Sequence, residues 1–203
     1  AKGHDFPNVT LVGVVSVDAG LGMPDFRASE RTFQLLAQVA GRAGRGELPG
    51  KVILQTYHPE HYALQCAQKQ DYRRFYEQEI QFRRDLYYPP FSVLANVIIR
   101  HTDATHAVSL AEQIGKFLRA AAQGDASVRV LGPASAPLAK LKNEYRHQIL
   151  LKSRSRRKLR DVLDLAFSYL ADATAARTGK AITPDQNPER RFISVEIDPV
   201  DLM

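Results

Sequence analysis

The segment Tyr87-Tyr88-Pro89-Pro90-Phe91 constrains this chain more than any other. Neither proline has an amide hydrogen. Each fixes its own φ and drives the residue before it out of the helical region. No helix can run through such a segment, and no central strand can contain it. The chain therefore divides near residue 90, and the two parts carry different hydrophobic rhythms.

In the first part, residues 9–17 read Val-Thr-Leu-Val-Gly-Val-Val-Ser-Val, a near-continuous apolar run. This predicts a strand buried on both faces, as in a parallel sheet. A loop with Gly20, Gly22 and Pro24 follows, then a helix capped by Ser29 with Phe33, Leu36, Ala37 and Ala40 on its apolar face. Residues 51–57 are a second buried strand, giving strand, helix, strand. Residues 61–69 and 71–86 read as further helices. In the second part the order is βαββαβ, the split ferredoxin-like arrangement. Its strands are 92–100, 127–131, 143–152 and 192–197, and its helices 105–122 and 155–174. Gly132-Pro133 is expected to end the second of these strands. The fold class is α/β, followed by an α+β domain.

Residues 38–46 read Gln-Val-Ala-Gly-Arg-Ala-Gly-Arg-Gly. Continued as helix, Gln38, Arg42 and Arg45 fall at i, i+4 and i+7 and project together. Gly41 and Gly44 would each cost roughly 1 kcal/mol in a helix interior, which suggests close backbone approach or a frayed end. Two guanidinium forks and an amide on one face suit a phosphate chain. A solvated basic helix end is the plainer reading of the arginines alone.

The chain carries a net charge of +6 and has a pI near 9.5, which favours an anionic partner. The charge is concentrated: residues 139–160 hold nine Lys/Arg and one acid. Lys140, Lys142, Arg146 and Lys152 occupy even positions, and Tyr145, His147, Ile149 and Leu151 odd ones. Period-two alternation assigns the cations to one face and the core to the other. Arg154, Arg156, Arg157, Lys158 and Arg160 then open a helix, where positive charge opposes the macrodipole. An anionic ligand bound through phosphate and shape contacts would account for that.

Several classes are excluded. The single Cys66 leaves no internal disulfide framework and no cysteine-rich zinc site, and reads as a packed core residue. The six histidines show no metal-binding spacing, so no metal ligand is assigned; His58 and His61 read as loop and helix-cap residues. No apolar run approaches the length of a membrane span, and no signal peptide opens the chain. There is no Gly-x-Ser-x-Gly elbow, no Gly-x₄-Gly-Lys-[Ser/Thr] phosphate loop and no DExH box. The abrupt start without Met is expected of a piece of a longer protein.

The string Gln38 to Gly46 resembles motif VI of superfamily 2 helicases. Gly3-His4-Asp5-Phe6-Pro7 resembles motif V. Taken with Asp25-Phe26-Arg27-Ala28-Ser29-Glu30-Arg31, Gln55-Thr56-Tyr57-His58-Pro59-Glu60-His61, Pro89-Pro90-Phe91 and Tyr145-Arg146-His147-Gln148-Ile149-Leu150-Leu151, the ordered set resembles the C-terminal part of the primosomal protein N′ (PriA) family. Members of that family are bacterial replication-restart helicases.

The resemblance implies that residues 1–70 finish a RecA-like helicase lobe, 71–90 form a helical connector, and 91–203 form a DNA- and partner-binding domain. It implies Arg45 as arginine finger, Arg42 as a second phosphate contact and Gln38 as a contact to the γ-phosphate region or its attacking water. Gly3, Asp5 and Gly41 would be the cofactor-binding residues, Gly3 through a close approach to DNA or nucleotide and Asp5 in a nucleotide-sugar or coupling role. ATP with Mg²⁺ is the implied cofactor of the full-length protein, and the family's zinc cluster lies upstream of these residues. The implied activity is 3′→5′ unwinding of branched or forked DNA in a bacterial, nucleoid-associated cytoplasmic setting. Implied partners are the acidic tail of single-stranded-DNA-binding protein, which would suit Arg156, and other primosome proteins. This chain alone, without phosphate loop or DExH box, is expected not to hydrolyse ATP. The alternative is a non-catalytic nucleic-acid-binding module with a relic helicase motif.

Overall fold

The computed structural model describes residues 9–41, 50–199 and 202. Of the residues singled out above, Gly3, Asp5, Arg42 and Arg45 lie outside these. The chain forms two compact units, residues 1–85 and 86–203.

In the first unit, β1 (Leu11–Val14) pairs in parallel with β2 (Lys51–Leu54), Leu11 opposite Lys51. Between them come α1 (Asp18–Leu21) and α2 (Ala28–Ala40). After β2 come α3 (Tyr62–Gln68) and α4 (Tyr72–Asp85). Val17, Phe33, Leu36, Leu64, Cys66 and Phe75 form the core. The strands are not buried on both faces as expected: Leu11 and Ile53 are 58% and 50% exposed. Among the described residues no third strand pairs with either, and the core residues gather on one side. A two-stranded parallel sheet of this kind cannot establish a RecA-like lobe. α4 packs into this unit through Phe75.

Two local expectations fail at α2. Its N-cap is Arg27, and Ser29 lies inside the first turn. The buried Asp25 carboxylate takes over the capping work, accepting from Arg27 N at 2.8 Å and pairing with Arg31 at 3.2 Å. At the other end α2 stops at Ala40, where the Gly41 N–H donates back to the Ala37 carbonyl. The buried face is Thr32, Phe33, Leu36 and Val39; Ala37 and Ala40 are only partly buried. Cys66 is buried, as read, and burial pushes its thiol up. His61 caps α3, its ring accepting from Ala63 N.

The second unit contains β3 (Val93–His101), α5 (Ala104–Ala121), β4 (Val128–Leu141), β5 (Glu144–Ser153), α6 (Arg156–Thr178) and β6 (Ile193–Ile197). The order is βαββαβ. The four strands form one antiparallel sheet in the order β4-β5-β3-β6. Ala95, Val97, Ile99, Ile149 and Leu151 on one sheet face pack against Leu110, Ile114 and Leu118 of α5 and Leu159, Leu163 and Leu170 of α6.

Gly132-Pro133 does not end β4. As an edge strand it can hold a proline without losing a ladder bond, and its register with β5 shifts between Leu131 and Ala134. Gly132 has φ +98°, and a Cβ there would lie 2.9 Å from the Gln148 carbonyl, so the bulge requires glycine. The strand then continues to a two-residue turn, Lys142-Asn143, both with positive φ (49° and 64°), the type I′ geometry that matches strand twist.

Candidate nucleic-acid interface

Gln38 sits exposed in the last turn of α2, opposite the face that buries Leu36 and Val39, and Gly41 closes the helix behind it. Among the described residues it is the one member of the Gln38, Arg42, Arg45 set that the structure places. A hollow of about 520 Å³ between α2, β2 and α3 is lined, among the described residues, by Leu36, Ala40, Val52, Leu54, Leu64 and Gln68 and others, none of them titratable. The Asp25 to Arg31 motif performs structural work as well. Arg83 of α4 donates to Glu30 at 2.7 Å and to Glu79 at 2.6 Å, and Tyr62 donates to Glu79 at 2.6 Å. The Gln55 to His61 motif is anchored in the same way. Thr56 Oγ1 and Tyr57 N donate to the two Asp18 oxygens, which holds that carboxyl below the usual range.

The basic stretch is more divided than its alternation suggests. In β5, Arg146, Gln148, Leu150 and Lys152 share the face away from α5 and α6, as expected. Lys140 and Lys142 do not belong to that strand. Lys140 lies across the turn in β4, paired with Tyr145 on the opposite face, its ammonium 4.7 Å from the ring centre. Lys142 occupies the turn itself. Lys152 is only 5% exposed. Arg146 Nε and Gln148 Oε1 are buried without a hydrogen-bond partner among the described residues.

At the start of α6 the cost of cations at a helix N-terminus is offset locally. Ser155 Oγ accepts from Lys158 N at 3.3 Å. Arg156 pairs with Asp198, whose other oxygen accepts from Leu94 N. Lys158 donates to Asp125 at 2.8 Å and to Ser127 Oγ at 3.0 Å. The Lys158 ammonium, then the Ser127 hydroxyl and amide, hold the Asp125 carboxyl down to about 2. Arg157 meets Asp161 only at 4.0 Å, and both are largely exposed.

Arg129, Lys152 and Arg154 form a different group. Arg129 and Lys152 are register partners on β4 and β5. The guanidinium carbons of Arg129 and Arg154 lie 5.0 and 5.6 Å from the centre of the Tyr87 ring. Lys152 Nζ lies 3.4 Å from the centre of the Tyr88 ring and donates to the Leu86 carbonyl at 3.1 Å. Burial, then the neighbouring Arg129, pushes the Lys152 ammonium down to about 8. Sequence reasoning missed Arg129, Tyr87 and Tyr88 as members of this cluster. Residue 129 is far from 152 in the chain, and only the strand register unites them. Among the described residues no group of three or more His, Cys, Asp or Glu could hold a metal ion. No helix there is long and apolar enough to cross a membrane.

Comparison with known proteins bears on both units. The family model described as "Primosomal protein N C-terminal domain" matches residues 84–200. The chain is 48% identical over 163 residues, 80% of its length, to the replication restart protein PriA of Bacillus subtilis. It is 38% identical over its full length to the proteins of the same name from Treponema pallidum and Haemophilus influenzae. It spans 20%, 28% and 26% of those three relatives respectively. The chain thus belongs to the primosomal protein N (PriA) family, of which it carries the C-terminal domain.

Proposed function

We propose that this chain is the C-terminal part of an ATP-dependent 3′→5′ DNA helicase that acts at stalled or branched forks and helps rebuild the primosome. The observation that carries this reading is a cationic surface, built on β4, β5 and the start of α6, in a chain of this family. Arg154 and Arg157 are exposed there, with Arg129 beside them, which suits phosphate contacts that carry no base information. Among the residues selected from the sequence, Arg154, Arg157, Lys140 and Lys142 are the accessible DNA contacts, while Arg156, Lys158 and Lys152 also hold local structure.

In this reading residues 1–70 belong to a RecA-like lobe, residues 71–90 are a helical connector, residues 91–203 are a ferredoxin-like domain, and Gln38 meets the nucleotide from the end of α2. Arg42 and Arg45 follow it as phosphate contact and arginine finger. ATP and Mg²⁺ supply the driving reaction in the full-length protein, and their remaining ligands are not among these 203 residues. The acidic tail of single-stranded-DNA-binding protein would meet the exposed side of Arg156.

The test uses the full-length protein. Arg45→Ala should lower DNA-stimulated ATP hydrolysis by about 10³-fold, the scale of an arginine-finger loss. Fork binding should stay within a few-fold. Near-normal turnover would remove the finger assignment. Unchanged binding of the acidic tail by Arg156→Glu would remove Arg156 from that interface.

A further inference from the structure

We propose that Arg129, Lys152 and Arg154 form a phosphate-binding site that takes a phosphodiester of single-stranded nucleic acid, and that its occupancy fastens residues 86–92 to the sheet. The proposal rests on the nucleic-acid reading above and deepens it, by naming the site and what it controls.

The first support is a charge imbalance. Arg156, Arg157 and Lys158 each have a carboxylate within 4.0 Å. Among the described residues, Arg129, Lys152 and Arg154 have none. Like charges directly opposite in an antiparallel pair destabilise a sheet, and Arg129 faces Lys152 in register. A buried ammonium is costly unless paired, and Lys152 is 95% covered with, among the described residues, only a neutral carbonyl and a ring as partners. The groups around it are Arg129 from β4, Arg154 from the residues after β5, and Tyr87 and Tyr88 from the preceding segment. Among the described residues, all are cationic or neutral.

The second support is the chemistry of what lines it. Arg129 and Arg154 are exposed, and guanidinium forks take phosphate oxygens in pairs. Tyr87 is half-buried between them, an aromatic surface beside arginines of the kind on which unpaired bases stack. Lys152 lies too deep to be the main contact and supplies charge from beneath.

The coupling follows from the partners of Lys152. Negative charge at the two arginines favours the protonated amine, which is the form that donates to the Leu86 carbonyl and attracts the Tyr88 ring. Ser92 Oγ donates to the Tyr87 carbonyl at 2.9 Å, which closes residues 87–92 on themselves, while the Lys152 bond ties Leu86 to β5. Filling the site strengthens the second of these bonds.

The experiment uses the full 203-residue chain with lysine side chains labelled at Cε. The Lys152 resonance is followed through a pH titration alone, with a short oligothymidylate, with inorganic phosphate and with polyglutamate. Oligothymidylate should raise the Lys152 midpoint by roughly one pH unit, a tenfold gain in proton affinity. It should also slow amide exchange across residues 86–92. The double variant Arg129→Ala/Arg154→Ala changes exposed side chains, and circular dichroism checks its fold. It should bind the oligonucleotide at least tenfold more weakly and show no midpoint rise. Full affinity in that variant, with an unmoved Lys152 in the parent chain, would sink the site and leave the nucleic-acid reading standing. A parent chain that binds no oligonucleotide would overturn the reading itself. A midpoint raised by polyglutamate alone would assign the site to an acidic peptide instead, and one raised by inorganic phosphate alone to free phosphate.

Discussion

Phe33 and Phe75 lie face to face, ring centres 4.2 Å apart and planes within 8° of parallel. The pair joins α2 to α4, so the helix that presents Gln38 is held by a contact made more than forty residues later. Tyr62 also stacks on Phe75, ring centres 5.9 Å apart, and Phe75 is 3% exposed. Truncation of Phe75 should therefore leave a cavity that the neighbours cannot fill. Phe75→Ala is expected to cost about 3–5 kcal/mol by urea unfolding, against under about 1.5 kcal/mol for a shape-tolerant apolar swap.

Arg83 stands between two carboxylates, Glu30 and Glu79, with its own side chain 13% exposed and that of Glu79 8% exposed. Arg83→Ala would strand Glu79 as a buried charge, with only the Tyr62 hydroxyl still donating to it. A loss of about 3 kcal/mol is expected at neutral pH. The double change Arg83→Met/Glu79→Leu should recover most of it, and equal losses in both variants would show that packing, not charge, is responsible.

Lys152 makes the stability of the second unit rise with alkalinity. Its folded midpoint, about 8, lies below the ordinary lysine value. Between the two the unfolded chain holds more protons, so stability rises as pH rises through that interval. Lys152→Met should flatten this slope. Near neutral pH it should stabilise by about 2 kcal/mol, because it removes a buried charge while keeping the bulk of the side chain. Chemical denaturation at several pH values between 7 and 10.5 reads this directly, and an unchanged slope would contradict it.

Asp125 behaves in the opposite sense. Its folded midpoint is lowered to about 2, so its contribution is present above the ordinary aspartate value and is lost as pH falls toward 2. Asp125→Asn should lower the melting temperature at neutral pH. The difference from the parent chain should close as the solution is acidified through that window, and a gap that persisted at the acid end would point to the Ser127 bonds rather than the Lys158 pair.

The alternation in β5 was legible because residues 149 and 151 pack on a helical layer while 146, 148 and 152 do not, and side-chain direction in a strand has a strict period. The edges of that pattern were not legible. Lys142 at positive φ is an unusual residue for a type I′ turn, so the hairpin had no Asn-Gly signal, and Lys140 was read onto the wrong strand and face. Gly132-Pro133 looked like punctuation, yet an edge strand tolerates both residues. In the first unit, the apolar runs announced β1 and β2 but could not reveal that Leu11 and Ile53 lack cover among the described residues. Gln38 was found because the helix period carried it. Arg42 and Arg45 fall outside the described residues, so their partnership stands on the motif. Arg129 was invisible as a site residue, since only tertiary register brings it to Lys152.

β3 lies between β5 and β6, and the Asp198 N–H donates to its Leu94 carbonyl, joining residues 104 positions apart. On the ribosome this has a temporal meaning. Residues 93–99 emerge as a run rich in Val, Leu and Ile and must wait for about a hundred further codons before their second flanking strand exists. A transcript cut short, or translation arrested before residue 193, would release a domain with one side of its most apolar strand unpaired, and such exposed edges recruit other chains. The last strand of the sheet therefore sets when it closes: only a chain read through to β6 pairs both edges of β3.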